Sequence, residues 1–249
     1  MKIKRILVSQ PEPESAKSPY HELAEKNNVK VDFRSFIQVE GVSAKEFRQT
    51  RVNILDHTAV IFTSRTAIDH FFRICVEMRI TVPETMKYFC ISEATAFYLQ
   101  KYIVYRKRKI FYGEGKVNDL IDIIKKHVDE NFLVPLSFAH KDDITQLLDD
   151  LNVKYTKAIL YKTVSSDLSD LKDVNYDVLV FYSPSGITSL LQNFPDFQQN
   201  EIKIASFGPS TAKAVTDAGL RLDIQAPNPQ APSMTMALEQ YIKKVNKEK

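Results

Sequence analysis

Residues 178–212 read VLVFYSPSGITSLLQNFPDFQQNEIKIASFGPSTA, and the fold is decided in this stretch. VLVF is a short β-branched run that stops at hydroxyl and proline residues, after which apolar positions recur at helical spacing. KIASF then ends in the same way, before GPSTA opens a second helix. Strands that leave through a small-residue turn into a helix, repeated in series, must lie parallel with helices covering both faces. The chain is therefore read as α/β.

Outward from this stretch the alternation continues in both directions. Upstream, strands are expected over 3–9, 58–64, 87–92, 109–113 and 131–137, and helices over 19–27, 44–55, 66–78, 93–102, 117–128 and 142–151. Downstream lie a strand over 222–226 and a last helix over 233–245. Two unusually long extended segments, 29–40 and 154–165, carry no Gly-Pro linker signature. The two halves also resemble each other. VIFTSRTAI, with Ser64, aligns with LVFYSPSGI, with Ser183, and FCISEATA, with Thr95, aligns with SFGPSTA, with Thr211. The offsets nearly agree, so two similar parallel-sheet domains are expected. If the extended segments near 31–40 and 155–165 are paired crossings, domain 1 is discontinuous, 1–36 plus 164–249. Domain 2 is then the insert 37–163, with a ligand cleft between the domains.

Composition narrows the function. The 249 residues are 44% hydrophobic and 26% charged, which excludes disorder and low-complexity architectures. Six glycines are far fewer than the roughly seventeen expected at about 7% usage, which counts against a Gly-rich phosphate cradle. A formal charge of +3 from 34 basic and 31 acidic side chains is too balanced for coating nucleic acid or an anionic membrane. Neither partner is expected, and any anion recognition must be local. Cys75 and Cys90 lie in apolar surroundings without metal-ligand spacing, so both are read as core residues of a protein in a reducing compartment. With no signal-peptide core and no long apolar run, the expected location is the cytoplasm.

In parallel α/β sheets ligands bind beyond the carboxyl ends of the strands, where helix N-termini present unpaired N–H groups. This sequence places hydroxyls there: Thr63, Ser64 and Thr66 after one strand, Ser92 and Thr95 after another. Ser183, Ser185 and Gly186 follow a third, and Gly208, Ser210 and Thr211 a fourth. Ser and Thr are also the preferred N-caps whatever a protein does; four such sets point beyond capping. In GPSTA and SPSG, proline occupies the first helical turn without wasting a donor, and glycine allows close approach to the backbone. Tyr161 lies in the second crossing, where alternation would turn its phenol toward the cleft. A phenol, with a reference pKa of about 10, is protonated at neutral pH and serves as an acid; a tyrosine packed in an interface is the plainer reading. Other constellations fail. HELAE from His21 lacks a second zinc-protease histidine, GEGKVN from Gly113 lacks a full nucleotide fingerprint, and the five histidines do not cluster. RKRK, Arg106–Lys109, reads as a solvated edge.

ILYKTV with Tyr161, VFYSPSGITSLL, IKIASFGPSTAKAVTDAGL and APNPQAPSMTMAL together resemble the uroporphyrinogen-III synthase family in order and spacing, and ILVSQP, AVIFTSRTAI and SEATA match more faintly. The chain departs from the family's pattern at Ile91–Ser92, at the early SQP and in HKDDI. The resemblance implies two domains joined by a two-stranded ladder and an enzyme that closes hydroxymethylbilane, a linear octacarboxylate, while inverting ring D. It implies no cofactor and no metal. Tyr161 would help the terminal hydroxyl leave, and Thr63, Ser64, Thr95, Ser183, Ser185, Gly186, Gly208, Ser210 and Thr211 would hold the substrate. Lys203, beside the GPSTA strand, is a further candidate for a carboxylate contact. A monomer is expected, and a hinged receptor for a small polyanion is the alternative from another class.

Overall fold

In the computed structural model, which describes residues 2–15, 17–172 and 175–247, the alternation is realised almost element for element. The chain begins with β1 (Arg5–Val8), α1 (Pro19–Asn27) and β2 (Lys30–Phe33), then β3 (Ile37–Gly41). There follow α2 (Ala44–Gln49), β4 (Ala59–Phe62), α3 (Arg65–Glu77), β5 (Lys87–Cys90) and α4 (Glu93–Tyr98). Next are β6 (Ile110–Tyr112), α5 (Ile121–Lys125), β7 (Phe132–Ser137), α6 (Asp143–Asp150) and the long β8 (Tyr155–Ser165). The chain ends with β9 (Val178–Phe181), α7 (Pro184–Asn193), β10 (Lys203–Phe207), α8 (Pro209–Asp217), β11 (Ile224–Ala226) and α9 (Met234–Lys247). Two units result, Met1–Gln38 with Val164–Lys249, and Val39–Thr163.

The first unit is built on a five-stranded sheet, order β11-β10-β9-β1-β2, parallel throughout. Apolar residues alternate between its faces. Ile6, Val8, Val178, Val180 and Ala205 pack with Leu238 and Ile242 of α9, while Leu7, Leu179, Phe181 and Ile204 pack with Ile187, Leu190 and Val215 of α7 and α8. Burial on both sides explains why VLVF is apolar at every position. The second unit has a six-stranded sheet, order β3-β8-β7-β4-β5-β6. One edge is antiparallel, where the two extended segments pair as β3 and β8: Val42 N–H donates to the Leu160 carbonyl and Ser166 N–H to that of Phe36, a spacing that only antiparallel strands produce.

Other departures are local. The extended segment 29–40 breaks at 34–36, so β2 joins the first sheet and β3 the second. The helix expected over 44–55 stops at Gln49, because Arg51 adopts a left-handed φ of 58°, and only a single 3-10 turn forms at Ile54–Asp56. RKRK forms a 3-10 turn leading into β6, an edge strand, with Arg106 paired to Glu84 at 3.0 Å. Among the described residues no helix is long and apolar enough to cross a membrane, and no group of three or more His, Cys, Asp or Glu could hold a metal ion.

Cys75 and Cys90 are 2% and 0% exposed, and burial pushes both thiols up to about 12. Since the thiolate is the reactive form, the native protein should release no chromophore from a thiol-disulfide reagent at neutral pH and two equivalents once denatured. A stoichiometric native reaction would refute this placement.

Candidate active site

In each unit, the strand order reverses at one point along the sheet. In the second unit this lies between β4 and β7, where neighbouring loops diverge and leave a crevice at the carboxyl edge. A cavity of ≈ 300 Å³ occupies that place, lined by Thr63, Ser64, Ile91, Leu136, Ser137, His140, Lys141 and Tyr161, among others.

Tyr161 reaches the cavity through an irregularity. Leu136 pairs with Ile159 but Ser137 pairs with Tyr161, so Leu160 is an extra residue and the strand is bulged. Under strict alternation Leu160 and Tyr161 would face opposite ways. With the bulge both pack on the α3 side, in the cluster that holds Phe71 and Ile68. The Tyr161 ring stacks on His70 of α3, with centroids 5.0 Å apart and planes at 16°, and its hydroxyl lies 3.4 Å from Ser64 Oγ. That contact is longer than a firm O–H···O bond, so the phenol proton is available to a ligand. Burial first, then the Arg73 cation, hold the His70 imidazole below its ordinary pKa. Arg73 Nε donates to His70 Nδ1 at 3.1 Å, so Nδ1 is the acceptor and the ring proton sits on Nε2.

A second cavity of ≈ 780 Å³ adjoins the first and shares Ile91, Val117 and Asp143 with it. Its polar wall includes Asp142, Asp143 and Asp150 against Lys116. Three carboxylates against one ammonium repel a polyanion, whereas in the smaller cavity Lys141 balances the shared Asp143, so the smaller cavity is the better match for an acidic ligand despite its size.

Ser64, Ser92 and Ser183 are the N-caps of α3, α4 and α7, accepting from the N–H groups of Ala67, Thr95 and Gly186. Capping accounts for their acceptor lone pairs and leaves each hydroxyl a proton to donate. Thr95 is buried, its hydroxyl 3.0 Å from Ser92 Oγ. The internal repeat acquires a structural meaning: Ser64 and Ser183 are equivalent caps, and Thr95 and Thr211 are both third residues of their helices, both buried.

In the first unit the strand order reverses between β9 and β1, where Ser9 and Ser183 leave adjacent strands. A Cβ on Gly186 would meet the Phe181 ring at 3.2 Å, with Ser9 Oγ and Ser183 Oγ just beyond, so the room that this glycine leaves is taken by the protein itself. Gly208 differs. Its φ of +86° requires glycine, and the space that a Cβ would enter is open. No side chain caps α8, and Pro209 has no N–H, so the first turn presents the Ser210 and Thr211 amides beside an unobstructed backbone. Ser185 and Ser210 are exposed in the first turns of α7 and α8. Lys203 is separated from this group. It begins β10, about 13 Å along the strand from the carboxyl end at about 3.3 Å per residue, and its ammonium faces Glu201 and Asp223. Nearness in sequence to GPSTA was misleading, because the intervening strand carries the chain from one sheet edge to the other.

Sequence reading missed several neighbours of the site. Ser9 sits beside Ser183, His70 and Arg73 lie behind Tyr161, and His140 and Lys141 line the cavity. Phe138 is 76% exposed, and its N–H donates to the Tyr161 carbonyl at 2.8 Å. Ser9 alone left a signal, as a hydroxyl ending the first strand; the others become neighbours only through long-range pairing of β8.

Comparison with known proteins agrees with this architecture. Solved structures similar to this chain include the uroporphyrinogen-III synthetase of Helicobacter pylori, at TM-score 0.60 and 15% identity, covering 97% of this chain and 100% of that one. Another is a mutant uroporphyrinogen III synthase from Thermus thermophilus, at TM-score 0.51 and 13% identity, covering 98% and 99%. At such identities the likeness concerns the fold. The uroporphyrinogen-III synthase of Saccharomyces cerevisiae is 26% identical over 141 residues, a match spanning 50% of each protein. The model of the family described as uroporphyrinogen-III synthase HemD matches residues 18–236. That match runs from the start of α1 into α9 and takes in the strand-order reversal of the second unit and the bulged strand of Tyr161, and on it the chain belongs to the uroporphyrinogen-III synthase family.

Proposed function

We propose that this protein converts hydroxymethylbilane to uroporphyrinogen III, with loss of water and inversion of ring D, as a cyclising hydro-lyase that takes no cofactor. The observation that carries the reading is the Tyr161 hydroxyl, which lines a cavity together with Thr63, Ser64, His140 and Lys141. At ≈ 300 Å³ the cavity is at the small end of ligand sites, a size suited to one terminal ring of the substrate rather than four. In this reading Tyr161 gives its proton to the terminal hydroxyl, which leaves as water, and the resulting azafulvene cation closes on the substituted carbon of ring D through a spiro intermediate. The proton released on closure restores the phenol. Ser64 and Thr63 orient the leaving end. The open first turn of α8, at Gly208, Ser210 and Thr211, and that of α7 at Ser183 and Ser185, take substrate carboxylates, each such contact contributing roughly 0.3–1 kcal/mol.

Because the linear substrate also cyclises unaided to the uninverted isomer, the test is isomeric. Purified protein is given freshly made hydroxymethylbilane and the products are separated by chromatography. The type III isomer should exceed the spontaneous type I. Type I alone, at the uncatalysed rate, would refute the synthase reading, and tight binding with that outcome would favour a polyanion receptor.

A further inference from the structure

We propose that His70 and Arg73 are positioning residues for Tyr161, the imidazole serving as the surface on which the phenol rests and the guanidinium locking both that imidazole and the backbone before the phenol. This deepens the synthase reading and rests on it. Arg73 uses its whole fork. Nε donates to His70 Nδ1 at 3.1 Å, Nη1 to Glu77 at 2.6 Å, and Nη2 to the carbonyls of Val42 and Leu160 at 2.7 and 3.3 Å. Leu160 is the extra residue of the bulge, immediately before Tyr161. One side chain therefore fixes the strand irregularity that aims the phenol and the ring against which it lies.

The sequence of β3 makes room for this arrangement. A Cβ on Gly41 would come within 2.6 Å of the Arg73 guanidinium, closer than any real contact, so only glycine leaves the fork in its present seat. Arg suits the task where Lys does not, since a planar fork serves several acceptors at fixed angles. None of these groups touches the cavity, whose lining includes Tyr161 but neither His70 nor Arg73; they act through the orientation of the phenol. Misplacing a reacting group by about 1 Å costs on the order of 10²-fold in rate, so a device that holds one ring has a measurable consequence.

The experiment is a double-mutant cycle on hydroxymethylbilane turnover. His70→Ala should lower kcat by about 10- to 100-fold, with KM changed by less than about twofold. In a Tyr161→Phe background the same change should lower kcat by less than about twofold, because residues that act through one group are not additive. His70→Phe keeps a flat ring and should recover much of the loss. Gly41→Ala, which displaces Arg73 without touching the site, should reproduce part of it. Equal losses in both backgrounds, or a loss confined to KM, would overturn the proposal. A second readout needs no activity. In tyrosine-labelled protein, the ring resonance that vanishes in Tyr161→Phe should move downfield in His70→Ala and Gly41→Ala as the stacked ring current is lost, whereas an unmoved resonance in folded variants would overturn the positioning role. A wild-type chain that makes no excess type III product would refute the synthase reading, with the resonance still deciding the geometry.

Discussion

Tyr161→Phe should slow formation of the type III isomer by about 10²- to 10⁴-fold, the range that general-acid assistance supplies, equivalent to roughly 3–5 kcal/mol of barrier. The substitution deletes one oxygen and leaves the stack on His70 in place. Among the described residues the side-chain group that this oxygen meets is Ser64 Oγ at 3.4 Å, too long a contact to stabilise the protein much, so thermal stability should change by less than about 0.5 kcal/mol. Rate and stability therefore separate, as they should for a group held for chemistry rather than packing. The isomer ratio separates from the rate as well. Acid assistance affects departure of the hydroxyl, whereas inversion of ring D depends on how the bound chain is folded, so the remaining product should still be enriched in type III. A variant with full kcat would remove the acid role from Tyr161. A slow variant that yields mostly type I would instead make the phenol a shaping group.

The contrast between what was legible in the chain and what was not follows the range of the interactions. Strand and helix positions were readable because period and capping are local: Pro19, Pro184 and Pro209 open helices, and Ser64, Ser92 and Ser183 cap them. Helices were overestimated where the break is a backbone event, as at Arg51 with its positive φ. The hydroxyl sets were found for the same local reason, although two of their members proved to be buried threonines. Tyr161 was readable as a candidate but its direction was not, since a bulge depends on how β8 registers against β7. His70 and Arg73 leave no signal in the sequence, because they meet Tyr161 and Leu160 only through the packing of α3 on the paired strands. Lys203 shows the reverse, since it is close to GPSTA along the chain but lies at the opposite end of β10.

Ser210→Asp tests the carboxylate contact proposed for the first turn of α8, and its two effects should have opposite signs. Residue 210 is exposed in the first turn of α8. A carboxylate there lies near the positive end of the helix and should stabilise the protein by roughly 0.3–1 kcal/mol, raising Tm by about 1–3 °C for a chain of this size. The same carboxylate would occupy the field that a substrate carboxylate is proposed to use, and adds like-charge repulsion at close range. KM for hydroxymethylbilane should rise by at least about tenfold, the equivalent of 1.4 kcal/mol, while kcat at saturation changes little because Tyr161 is untouched. Added salt should narrow the KM difference, since exposed charges are screened over about 8–10 Å. Ser210→Asn keeps the size and the polarity without the charge and should bind like the wild type. A raised Tm with unchanged KM would mean that no substrate carboxylate sits at this turn. A lowered Tm would mean that the Ser210 and Thr211 amides are not open to an anion at all.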